Sequence, residues 1–165
     1  MLPIVAYGHP VLRKKASEID KGYEGLGELI DEMFKTMYDS VGVGLAAPQI
    51  NKSIRLVVID ADPYGEEYPE AKGFKKVLIN PQMVTEDGDE WLAGEGCLSI
   101  PNIHEEVSRK KKIKIRYQDE NFDTHEEAFD GIIARIMQHE YDHLEGVLFV
   151  DRLPNLMSNV GEFSL

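Results

Sequence analysis

The segment from Asp130 to Leu144 constrains this chain more than any other. Ile132, Ile133, Ile136 and Met137 lead into His139-Glu140-Tyr141-Asp142-His143. Ile132, Ile136, His139 and His143 stand at i, i+4, i+7 and i+11, which is one side of an α-helix. Ile133 and Met137 make further faces apolar, so the helix must be largely buried. Asp130 is its expected N-cap. Two imidazoles that continue a buried stripe need a shared reason to be there, because an unpaired polar group in an interior is costly. Side chains four apart on a helix can hold one metal ion, with Glu140 beside it in reach of a water. The alternative is a pair of core histidines satisfied by hydrogen bonds.

The rest of the chain has to wrap that helix. At 165 residues it is expected to form one domain, residues 1–165, with a core that needs no disulfide. Apolar residues at Leu26, Leu29, Ile30, Met33, Phe34, Met37 and Tyr38 predict a first helix that stops near Ser40. Strands are predicted at 53–60 and 75–84, with Pro81 marking an edge or a bulge, and near 103–108, 111–118 and 124–129. The stretch 61–73 reads as a loop, Asp87-Gly88 as a hairpin turn, and Asp119–Asp123 as a connecting turn. No βαβ alternation is present. The expected class is α+β, with antiparallel or mixed β-sheets packed around a central metal-binding helix.

Hydrophobic residues make up 42% and charged residues 29% of the chain, as in soluble globular proteins. No apolar run approaches 18 residues and no secretory pattern opens the sequence, so a cytoplasmic protein without membrane association is expected. The lone cysteine, Cys97, suits a reducing compartment. The net charge of −12 argues against direct nucleic-acid specificity. One basic run, "SRKKKIKIR" (108–116), alternates with Ile113, Ile115 and Tyr117. It reads as a strand with a solvated basic face that protects a sheet edge.

A catalytic site on this helix requires a third ligand. The metzincin extension, H-E-x-x-H-x-x-G-x-x-H, keeps Gly146 but puts Phe149 at the last histidine. A thermolysin-like glutamate has only Glu145 and Glu162 to draw on. The remaining nitrogen and sulfur donors are Cys97, His9, His104 and His125. Cys97 lies in "EGCLSIP", a turn-like setting, and a thiolate binds zinc or ferrous iron strongly. The alternative for Cys97 is a small buried apolar residue.

Three segments, "GVGLAAPQ" (42–49), "EGCLS" (95–99) and "QHEYDHLEG" (138–146), resemble in order and spacing the motifs of the peptide deformylase family. "YGHPVLRKKA" (7–16) resembles the family's N-terminus, and the likeness runs from Ile4 to about Leu153. The resemblance implies a deformylase-like fold and a metal-dependent amide hydrolase. Its reaction would remove the N-formyl group from formyl-methionyl nascent peptides and release formate. It implies Cys97 as the ligand beside His139 and His143, and one divalent ion per chain: ferrous iron natively, with zinc, nickel or cobalt able to replace it. Glu140 would accept a water's proton and deliver it to the departing amine. The Gln49 amide and the Leu98 N–H would meet the oxyanion. Asp142 would pair with Arg109, and a transient contact with the ribosome is expected.

Glycines at 42 and 44 are read as letting a peptide backbone approach, with Val43, Gly44 and Gly96 bonding the substrate main chain. Val43, Ile132 and Ile136 are candidates for the methionine pocket, or for ordinary core. A dinucleotide fingerprint, Gly42-x-Gly44-x-x-Ala47, fails on context, because a helix precedes it and Pro48 with a strand follows. Two departures from the family stand out. His104 occupies a channel position where some relatives have arginine. After Arg152 no Lys or Arg follows, so the tail, about 154–165, is short and atypical beside the basic helix of many relatives. A general metallopeptidase and a non-catalytic metal-binding module are the rival classes, and Glu140 argues against the second.

Overall fold

The computed structural model describes residues 2–153. The predicted first helix forms as α1, Leu26–Asp39, and turns Ile30, Met33, Phe34 and Met37 into one core cluster. The chain then reverses through Ser40 and Val41 into β1, Gly44–Ala46, and a 3-10 turn at Ala47–Ile50. β2, Leu56–Asp60, follows, buried along most of its length. The segment read as a loop holds two short 3-10 turns, Asp62–Tyr64 and Pro69–Ala71.

The largest difference from the sequence reading concerns Asp87-Gly88. These residues do not form a hairpin. β3 runs unbroken from Lys75 to Cys97, and β4 from Ile100 to Gln118, so the hairpin turn is Leu98-Ser99. Gly88 has a φ of 81°, and the register slips between Asp87 and Glu90. A left-handed glycine serves a bulge as well as a turn. Asp87 faces Lys112 and Glu90 faces Lys110, and such opposite charges hold two strands together through a bulge. Pro81 falls in another register slip, between Ile79 and Gln82, as its missing N–H requires.

The strands pair antiparallel in the order β1-β2-β3-β4-β5, with β5 at Thr124–Asp130. β5 covers β4 from Lys112 to Gln118, so there the basic run guards no edge, whereas Ser108, Arg109 and Lys110 pair with β3 alone. Lys111, Lys112, Lys114 and Arg116 are exposed while Ile113, Ile115 and Tyr117 are buried, so the solvated basic face is present. Arg109 is the exception and is buried.

α2, Gly131–Leu144, leaves β5 through Gly131 at a φ of 62°. Asp130 occupies the N-cap position without a side-chain capping bond. It remains a β5 residue paired with Lys112, so the capping expected of it is not made. Ile132, Ile133, Ile136 and Met137 pack against Val57, Ile59, Leu78, Ile113 and Ile115. Full burial of such side chains is worth about 1.5–3 kcal/mol each. A third cluster, including Val11, Leu12, Ile100, Val107 and Phe149, closes over the β3–β4 hairpin. α2 is thus enclosed, and the architecture is the expected α+β. No described helix is long and apolar enough to cross a membrane. The tail at 154–165 lies outside the described residues.

Candidate active site

α2 sets the His139 and His143 rings one turn apart, with centroids 5.3 Å from each other. β3 ends at Cys97, and the tight turn after it presses this residue against α2. The Cys97 Sγ lies 3.4 Å from His143 Nε2. Donor atoms of Cys97, His139 and His143 all fall within 4.8 Å of one another, the one such trio among the described residues. A tetrahedral ion bound at 2.0–2.3 Å separates its ligand atoms by about 3.5 Å, so the trio is close to ready for a metal. The other histidines stand apart. His9 accepts from the Val11 N–H at 3.1 Å, and His125 bonds Asp119 at 2.7 Å. His104 is exposed and lies over Gly96.

Glu140 faces β1. A Cβ added to Gly44 would sit 2.6 Å from Glu140 Oε2, and one added to Gly42 would sit 2.8 Å from a Leu98 methyl. These glycines were read as room for a substrate backbone. They are required first by the protein's own packing, since any side chain there would displace Glu140 or Leu98. Glu140 Oε1 is buried and has no hydrogen-bond partner among the described residues. Burial pushes its carboxyl up to about 7, against the opposing pull of His139. The Gln49 Oε1 accepts the Ala46 N–H at 3.0 Å, which fixes the amide and directs Nε2 towards Cys97 Sγ (3.4 Å) and Ser99 Oγ (3.3 Å).

A groove of about 640 Å³ passes over these groups, walled by Val43, Gly44, Gln49, Leu98 and His104 among others. From it a chamber of about 80 Å³ opens beside His139 and Glu140, lined by Val43, Gly96, Ile132, Arg135 and Ile136. A soft three-donor set, a buried carboxylate and an aimed amide now stand at one end of a peptide-sized groove.

Residues 1–159 match the family described as Polypeptide deformylase. A peptide deformylase of Flavobacterium psychrophilum is 53% identical over 160 residues, spanning 93% of this chain and 82% of that one. The chain belongs to the polypeptide deformylase family. The crystal structure of the peptide deformylase from Thermotoga maritima superposes with a TM-score of 0.84 at 42% identity, covering 93% of this chain and 98% of that one. A Met-Ala-Ser-bound class I type b peptide deformylase from Acinetobacter baumannii gives 0.86 at 35% identity, covering 93% and 98%.

Behind this deformylase's metal ligands lies an ionic network that the sequence reading caught only in part. Asp142 does meet Arg109, at 2.9 Å, and is also clamped by Arg152 through two bonds of 2.8 Å. The centre of the network is Glu95, which was not singled out. It accepts His139 Nδ1–H at 2.8 Å, Arg109 at 2.6 and 2.9 Å, and Arg135. Glu95 thereby fixes the His139 ring and leaves Nε2 for the ion. Its place could have been read from the strand, because residues two apart share a face and Glu95 stands two before Cys97. Arg135, one helical turn before His139, carried the same kind of signal.

The same surroundings explain the site's charge. Burial opposes a charged His139, but hydrogen bonds to Cys97 and Glu95 and the nearby Glu140 prevail and raise it to about 10. His143 is pushed well below its ordinary value, by burial and then by the positive His139 and Arg109.

Burial opposes ionisation of Glu95, yet the bonds from His139 and Arg109 hold its carboxyl at about 2. An unfolded glutamate titrates near 4.3, so this carboxylate stabilises the fold above that pH, and the contribution fades from about pH 4 down to pH 2. Urea unfolding at stepped pH is expected to show a steep loss across that window in the wild type and a shallower one in Glu95→Gln. Equal slopes in the two proteins would contradict this assignment.

Proposed function

We propose that Glu140 is the general base, with Gln49 Nε2 and the Leu98 N–H as oxyanion donors, in the reaction of this metal-dependent hydrolase: removal of an N-formyl group. The observation that carries the reading is Glu140 Oε1, buried without a partner beside the Cys97, His139 and His143 donors. Held there, a divalent ion would acidify a water beside it and draw the Glu140 carboxyl back towards its ionised form. Glu140 takes the water's proton as the new C–O bond forms at the formyl carbon. The formyl oxygen gains charge, and two pre-aimed donors stabilise it without reorganising. Glu140 then returns the proton to the amine nitrogen as the C–N bond breaks, leaving formate and a free N-terminus.

The substrate in this proposal is a formyl-methionyl nascent peptide. Its backbone lies in the groove along Val43, Gly44 and Gly96, and its first side chain enters the chamber beside Ile132 and Ile136. The relative bound to Met-Ala-Ser, a peptide that begins with methionine, supports this placement. Thiolate and imidazole ligands suit Fe2+, Zn2+, Ni2+ and Co2+, and we take Fe2+ as the native ion on the family resemblance. Residues 1–165 act as one catalytic domain in the cytoplasm. The net charge of −12 repels the phosphates of ribosomal RNA, so any ribosome contact is brief.

Comparing kcat/KM for formyl-Met-Ala and acetyl-Met-Ala tests the reaction. A formyl carbon carries only hydrogen, whereas the acetyl methyl would push the carbonyl away from its donors. Misplacement of about an ångström can cost about a hundredfold, so formyl should lead by at least that factor. Similar values for the two would remove the deformylase reading and favour a general amidase.

A further inference from the structure

We infer that Arg135 is a specificity residue that recognises the sulfur of the substrate's methionine through its Nε–H. The inference rests on the small chamber being the methionine pocket, as proposed above.

Arg135 is only 2% exposed, and most of its donors are committed. Nη1 bonds Glu95 and, at 2.9 Å, the Val107 carbonyl. Nη2 bonds the Trp91 carbonyl at 2.6 Å. The guanidinium also lies over the Trp91 ring, 4.5 Å from its centroid. Three fixed bonds and a stacked face leave the group no freedom to turn. The Nε–H is buried and has no acceptor among the described residues. A buried donor left unpaired is costly, so something that enters the site is expected to satisfy it.

Arg135 is one wall of the chamber of about 80 Å³, and the neighbouring walls offer little in its place. Val43, Ile132 and Ile136 are apolar, and Gly94 and Gly96 have no side chains. Tyr64, His139 and Glu140, which also line the chamber, place no acceptor within hydrogen-bond reach of Nε. Both Glu95 oxygens already accept from Arg109, Arg135 and His139. The occupant must therefore be slim and mostly apolar, and must carry an acceptor of its own. Among unbranched apolar side chains, only methionine has one, its thioether sulfur. Norleucine has the same shape but puts a methylene there and leaves the Nε–H unpaired. A site with a donor for one substrate atom disfavours an analogue lacking that atom. Because a thioether is a weak acceptor, the discrimination should be about tenfold rather than the much larger factors seen with hydroxyl groups.

The test uses metal-loaded enzyme and the ratio of kcat/KM for formyl-Met-Ala over formyl-norleucine-Ala. The wild type should favour methionine about tenfold. Arg135→Lys keeps a cation for Glu95 but has no Nε–H, and its ratio should fall close to one. Loss of metal or a looser His139 would slow both substrates alike and leave the ratio untouched. A ratio unchanged in Arg135→Lys, or a wild type that does not discriminate, overturns the inference. If the variant does not fold, a crystal structure of the wild type with Met-Ala decides instead. Sulfur within hydrogen-bond reach of Arg135 Nε supports the inference, and sulfur turned away from it overturns it. A wild type that releases no formate from formyl-Met-Ala fails the functional reading beneath, which is a separate outcome.

Discussion

Glu140→Gln should retain its metal and lose about a thousandfold in kcat, within the range typical of a removed general base. The substitution is nearly isosteric, so the contact with Gly44 and the burial against His139 change little. What changes is chemistry: an amide cannot accept the water's proton. Burial raises the Glu140 carboxyl, and a base works only when ionised. The wild-type kcat/KM should therefore fall as the pH drops through the pKa of this group, and the residual activity of the variant should lack that acid limb. Metal analysis beside formate release separates the outcomes. Loss of metal together with activity would make Glu140 a ligand, and undiminished turnover would remove it from the mechanism.

Cys97→Ala should lose the metal itself. Removing a partner that merely orients a ligand costs about 10–100-fold in affinity, so deleting a ligand costs at least about a hundredfold. The loss falls on the soft donor, and on the atom 3.4 Å from both His143 Nε2 and Gln49 Nε2. No other described residue completes a three-donor cluster with the two histidines. Wild-type protein prepared anaerobically from its host should carry one ion per chain, iron by the proposal above. The variant, dialysed against a chelator, should carry almost none and release formate correspondingly slowly. Zinc in the native protein would overturn the iron assignment. A variant with a full ion and full turnover would overturn the ligand set.

The parts that sequence reading reached are those governed by local spacing. α1 and α2 follow from apolar residues recurring every three or four positions, and the same period places both histidines on one face. The solvated side of β4 follows from alternation. Turn chemistry was less decisive, since Asp87-Gly88 suits either a hairpin or a bulge. The choice depends on whether Lys112 and Lys110 of β4 stand opposite, which is a tertiary fact. Asp130 failed as a cap for a related reason, because β5 pairing holds it up to the first turn of α2.

Sequence alone determined the metal-binding helix, because helical spacing is written in neighbouring residues. Cys97 and the class of chemistry followed from the resemblance of three separated motifs to the deformylase family. Tertiary structure decided what stands beside them. The Cys97 sulfur meets His143 across 46 positions, and Glu95 holds His139 across 44. The closeness of Gly44 to Glu140 and the unpaired Nε–H of Arg135 have no local signature either. Each depends on how closely a strand and a helix approach. That distance is set by the packing of the whole core, and no short window of residues encodes it.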